Sequence, residues 1–234
     1  MEVINLALLA RQKSLIYTTA MAYGDYLAQS ASRELLRIRQ GEIRLLPDDQ
    51  LFFTTYPDFI RWLVVVSDES PDTVAVLPVL MHIAACCPRL KVRVILDDDD
   101  SLRHVARLMD DPALAAGLAD ADFPLLLIFD EEWHYLDQWG PHPPEIEPLL
   151  DEWLAEHPDF EQLSDDDSPA AQAAYEALLD ELTQVMRLWY NSGLNQAAVA
   201  DVRGVMSHLH EGGDNDDGDS DNGDSDDGDS DDEH

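Results

Sequence analysis

Residues 62–85, WLVVVSDESPDTVAVLPVLMHIAA, constrain the fold more than any other stretch of this chain. Trp62, Leu63, Val64, Val65 and Val66 form a continuous apolar, largely β-branched run, the pattern of a strand covered on both faces. A short polar loop follows. Residues 73–87 are then apolar almost all round, although Pro78 interrupts them. A helix without a polar face has to be buried against other elements rather than laid on a surface. Residues 92–96 repeat the strand signature, so the two strands pair in parallel through the intervening helix. A chain with this segment at its centre is an α/β protein.

The flanks extend that picture. From the N-terminus to about residue 59 the pattern is helical, with Leu27, Leu35, Leu36 and Ile38 among charged residues, and Pro47 and Pro57 divide it into two or three helices. After the acidic run at 97–100, residues 102–109 place Leu102, Val105, Ala106 and Met109 on one helical face, and Pro112 is expected to close that helix. Residues 123–129 read as a third strand opening with Pro124, and 133–139 as a fourth, joined to it by an acidic turn. Residues 145–155 supply a closing helix. Ser168 and Pro169 then mark another helix start, followed by an apolar stripe through Tyr175, Leu178, Leu182, Met186 and Trp189. Asn191 to Gly193 break the pattern, and Ala198, Val199, Val202 and Met206 mark one more amphipathic helix.

Charge narrows the partners. The formal net charge is −35, and thirteen of the acidic side chains lie from Glu211 onward, where there is no Lys or Arg. The remainder still carries about −22. Nucleic acids and anionic membrane surfaces are therefore poor partners, because binding them requires cations to neutralise phosphate. Basic proteins or metal cations fit better. From Gly213 the tail repeats five-residue units of Gly, Asp, Ser and Asn, and without apolar residues it is expected to be disordered. Glycine every fifth residue does not reproduce a calcium-binding loop, so divalent cations would bind the tail weakly at most. No apolar window reaches membrane-spanning length, and no secretory signal is evident. Cys86 and Cys87 are adjacent and build no disulfide framework, which suits a reducing cytoplasm.

The loop and helix at 70–78 carry a family resemblance. In thioredoxin-like proteins a C-x-x-C motif opens such a helix, with a kinking proline eight residues after the first cysteine; counting back from Pro78 lands on Ser70, and the second position falls on Thr73. Ser70-Pro71-Asp72-Thr73 thus stands where the redox motif would be. Phe123-Pro124 resembles the cis-proline facing that loop, and 139–143, WGPHP, is similar to a bacterial subgroup labelled thioredoxin family protein, whose loop typically reads W-C-G-D-A. The subgroup's tryptophan is Glu69 here, its cysteine Ser70, and its hairpin glycine Trp133.

The resemblance implies an α/β, thioredoxin-like fold with a central mixed four-stranded sheet, helical N- and C-terminal extensions and a disordered acidic tail. The corresponding parts are 1–58, 59–156, 157–210 and 211–234. It also implies a groove for a protein or peptide partner, basic by charge, at Pro71, Asp72, Phe123, Pro124 and Trp139. No cofactor is expected.

Serine and threonine nearly match cysteine in size but neither ionise near neutral pH nor bond reversibly to sulfur, so dithiol exchange is not expected at Ser70 and Thr73. Two enzymatic alternatives remain: a residual thiol oxidoreductase and a hydrolase with Ser70 as nucleophile. No G-x-S-x-G surrounds Ser70, and no His or Asp is placed by spacing to activate it. The plainer role for Ser70 is to cap the helix, its hydroxyl accepting a backbone N–H. Adjacent cysteines in an apolar helix are ordinarily packing residues. The Asp97 to Asp100 run could hold a cation, but a solvated loop whose carboxylates favour the next helix N-terminus is the simpler reading. His82, His104, His134 and His142 share no metal-ligand spacing.

Overall fold

The computed structural model describes residues 11–213, apart from 12, 16, 19, 110 and 111. The expected acidic tail lies outside those residues except at its first positions. Residues 13–15 and 17–18 are helical, and three further helices follow: α1 (Tyr23–Gln29), α2 (Arg33–Glu42) and α3 (Pro47–Thr55). Strand β1 (Ile60–Val66), helix α4 (Pro71–Cys86) and strand β2 (Leu90–Leu96) form the central unit. Helices α5 (Asp99–Ala106) and α6 (Pro112–Gly117) precede the hairpin of β3 (Leu125–Phe129) and β4 (Tyr135–Trp139). Helices α7 (Glu147–Glu156), α8 (Phe160–Ser164), α9 (Pro169–Trp189) and α10 (Asn195–Gly213) complete the described chain.

The sheet order is β2-β1-β3-β4. β1 runs parallel to β2, with Val64 opposite Val94, and antiparallel to β3, with Val64 opposite Leu126; β3 and β4 are antiparallel. The sheet is thus mixed and four-stranded, as expected. Both faces are covered, which explains the unbroken apolar runs. Trp62, Val64, Val66, Leu126 and Ile128 join the core on the α4 face, while Leu63, Val65, Leu125, Leu127 and Phe129 join the one beneath Val105, Leu108 and Leu118. Side chains alternate between faces, so every residue of β1 but one is fully buried.

Helix α4 is apolar all round because it is enclosed twice. One side packs on the sheet, and α2, α3, α9 and α10 lie against the rest. Ten of its residues are buried. Each fully buried Val, Leu or Ile contributes about 1.5–3 kcal/mol relative to exposure, so this enclosure dominates the helix's stability. Pro78 lacks an N–H and leaves the Val74 carbonyl without its usual helical donor. One residue further, the Ala75 carbonyl accepts from Arg39 Nη2 at 3.0 Å. That guanidinium has 0% side-chain exposure and also donates to Asn191 at 2.7 Å and Asn195 at 2.8 Å. Asn191 lies in a π-helical turn (Tyr190–Leu194), where Gly193 takes φ +152° and joins α9 to α10. Arg39 therefore pins α2, α4 and the α9–α10 junction together. Glu42 closes the network, accepting from Arg187 of α9 and from Arg39 at 3.4 Å.

Several boundaries differ from the sequence expectation, each for a local reason. The helix expected at 102–109 begins at Asp99, because the Asp98 carboxylate caps it by accepting from the N–H groups of Asp100 and Ser101 at 3.1 and 3.0 Å. Pro112 opens α6 rather than closing α5; its missing N–H costs nothing at a first helical position. The fourth strand starts at Tyr135 rather than 133, because Trp133 has φ +72° and belongs to the turn. Lys13 donates to the Trp133 carbonyl at 2.9 Å, and Arg61 lies 4.4 Å from its ring. The third strand starts at Leu125, after Pro124. The closing helix is a single 3-10 turn (Pro144–Ile146) followed by α7. Ile38, expected among the apolar positions, is 44% exposed, whereas Leu36 is fully buried. The Ser168 cap is as expected: its hydroxyl accepts from Ala171 N.

Candidate functional site

The head of α4 meets the loop before β3. Ser70 is extended, with φ −77° and ψ 125°, and Pro71 takes the first helical position. Position alone would make Ser70 a cap. Its hydroxyl instead donates to the Phe123 carbonyl at 3.0 Å and accepts no helix N–H, which corrects the capping role expected from sequence. The Phe123–Pro124 peptide is cis, as is Gly140–Pro141. Gly140, with φ +133°, passes so close to this loop that a Cβ would lie 2.3 Å from the Pro124 carbonyl oxygen. No other residue fits there without backbone movement.

These segments border a cleft of about 510 Å³ lined in part by Ser67, Ser70, Asp97, Phe123 and Pro141. Asp72 and His142 also line it. His142 Nδ1 lies 2.9 Å from Asp72 and Nε2 lies 3.1 Å from Glu147, and the His142 side chain is 13% exposed. Burial by itself would lower the imidazole pKa. The hydrogen bond and charge of Asp72, and then those of Glu147, outweigh it and hold the ring's pKa above that of an ordinary histidine. Sequence spacing did not reveal this contact, because Asp72 and His142 are 70 positions apart.

The two positions expected from sequence to stand in place of the redox cysteines are not alike. Ser70 lines the cleft, but Thr73 is buried at 1% exposure, its hydroxyl without a hydrogen-bond partner among the described residues. Pro71, Asp72 and Phe123 are half-buried beside it, and Pro124 is buried under the loop. Trp139 departs from the expected groove. At 9% exposure it packs in the main core, its indole N–H reaching Asp201 at 3.4 Å, and it braces β4 from beneath. Glu69 is exposed.

Cys86 and Cys87 sit at the other end of α4, about 24 Å from Ser70 at 1.5 Å of rise per residue. Both are free, and burial pushes the Cys87 thiol pKa up, away from a reactive thiolate. Asp98 is committed to capping α5, and among the described residues no group of three or more His, Cys, Asp or Glu could hold a metal ion. His142 offers Ser70 no general base, since both ring nitrogens are bonded to carboxylates.

A β2-β1-β3-β4 sheet whose first crossover helix faces a cis-proline loop defines a thioredoxin-like protein. The family profile described as thioredoxin matches residues 20–154, and the chain belongs to that family. Two solved structures share the fold. A protein of unknown function from Pseudomonas aeruginosa is 17% identical with a TM-score of 0.53, covering 82% of this chain and 95% of that one. An HIV epitope scaffold is 14% identical with a TM-score of 0.53, covering 83% of this chain and 97% of that one. No curated protein matches the chain.

Proposed function

We propose that this chain is a thioredoxin-fold binding module that holds an extended peptide or protein segment at the Ser70 cleft and performs no thiol chemistry. The observation that carries this reading is the hydroxyl of Ser70, hydrogen-bonded to the Phe123 carbonyl where an attacking thiolate would have to stand. Thr73 is buried beside it, and the chain's two thiols lie at the far end of α4. The cleft keeps what a peptide segment can use: the Phe123 side of the cis-proline loop, the Ser70 hydroxyl and the Asp72 carboxylate. Net charge favours a basic partner. The WGPHP segment at 139–143 sets the chain beside the bacterial subgroup with a lone loop cysteine, and Ser70 stands where that cysteine would be. We place its action in a reducing cytoplasm, where Cys86 and Cys87 stay thiols.

The test is reduction of insulin disulfides by dithiothreitol. Wild type is expected to add nothing to the uncatalysed rate, while the double variant Ser70→Cys/Thr73→Cys gains activity. Wild-type catalysis that disappears on Cys86→Ser would overturn the reading. Partner binding is expected to weaken on Asp72→Asn and on Phe123→Ala.

A further inference from the structure

A second cleft opens on the other side of Ser70. It measures about 540 Å³ and lies between the loop before α4, the start of α2, and helices α8 and α9. Its apolar lining is Leu35, Val74, Leu163, Tyr175 and Leu179. Around that lining stand Asp68, Glu69, Asp166, Asp167, Glu176 and Asp180, with no Lys, Arg or His among the lining residues. Asp68 is fixed as an acceptor by the Tyr26 hydroxyl at 2.7 Å and the Ser30 hydroxyl at 2.8 Å. None of the six carboxylates forms a salt bridge among the described residues.

Carboxylates around a concave, partly apolar surface concentrate negative potential and favour a ligand that brings both cations and hydrocarbon. Lys and Arg supply both in one side chain, an aliphatic stem and a charged head. The chain's own residues from 211 onward are acidic and lack Lys and Arg, so they are repelled. A second copy carrying −35 is repelled as well. We propose that this cleft seats a segment of a partner protein in which Lys or Arg alternates with apolar residues, continuing past Ser70 from the neighbouring cleft. The inference rests on the reading of the Ser70 cleft as a binding surface, since Ser70 lines both.

The experiment titrates the full chain with a short fluorescein-labelled peptide of alternating leucine and lysine, followed by anisotropy. Glu176→Lys/Asp180→Lys reverses two exposed carboxylates on the α9 wall. Asp151→Lys/Glu152→Lys makes the same change in net charge at exposed positions of α7 that do not line the cleft. The α9 variant is expected to weaken binding at least about tenfold and the α7 variant less than about twofold, because exposed charges remote from a ligand are screened. Equal loss in both, or loss in neither, overturns the inference. Loss on Asp72→Asn with none on the α9 variant overturns it while sparing the Ser70 cleft. Loss on the α9 variant with none on Asp72→Asn or Phe123→Ala supports this second cleft and removes the first. Failure of the peptide to bind wild type overturns the inference outright.

Discussion

Replacing Glu42 by glutamine would measure how firmly the N-terminal helices are tied to α9. Arg187 Nε donates to the two Glu42 carboxylate oxygens at 2.8 and 3.1 Å, its Nη2 adds a further contact, and Arg39 lies at 3.4 Å. Hydrogen bonds from Arg187 lower the Glu42 pKa most, burial opposes them, and Asn191 and Arg39 add to the lowering, taking it from 4.5 to about 2. That difference corresponds to about 3 kcal/mol of linkage to folding. The Glu42 side chain is 22% exposed, so solvent screening brings the expected cost of Glu42→Gln at pH 7 to about 2 kcal/mol. The sign follows from a folded-state value below the unfolded one. The contribution is complete above about pH 4.5 and is lost as pH falls toward about 2, where both states are protonated. Urea unfolding followed by tryptophan fluorescence at pH 7 and pH 3 reads both quantities, and the gap between wild type and variant should shrink to less than about half at pH 3. A gap below about 0.5 kcal/mol at pH 7, or one that does not change with pH, would refute the argument.

Two further changes probe the site itself. Gly140→Ala would place a methyl 2.3 Å from the Pro124 carbonyl at a φ of +133°, so a loss of about 3 kcal/mol or more is expected in the same unfolding assay, and a near-neutral result would show that the approach is looser. The His142 ring should titrate above the ordinary histidine value when followed by NMR of its Hε1 proton. Because its folded pKa is raised, its stabilising contribution is complete below about pH 6 and is lost as pH rises through the folded value. The gap between wild type and His142→Ala should therefore narrow in alkaline solution; a widening gap would reverse the assignment of charge.

The centre of the fold was legible because hydrophobic period and proline position are local signals. Strand β1 and helix α4 could be read from a window of about two dozen residues. Boundaries were less legible wherever a side chain competed with the pattern: Asp98 started a helix early by capping it, and Trp133 took a left-handed turn position that only its surroundings at Lys13 and Arg61 support. Long-range polar contacts were not legible at all. The pairing of His142 with Asp72 and the burial of Arg39 against Asn191 and Asn195 join residues 70 to 156 positions apart, and no spacing rule reaches that far. The depth of Trp139 in the core was not legible either, since an aromatic at the end of an edge strand can face either way and a helix, α10, covers this one.

The double enclosure of α4 bears on how this protein can be trimmed. Val76, Leu80 and Ile83 of α4 are sealed off from water. A fragment ending after α7 would carry a greasy wall where α9 and α10 had been, and would clump with its own kind instead of standing as a minimal domain. The flanking helices therefore cannot be shed without rewriting the outer surface of α4 in polar residues.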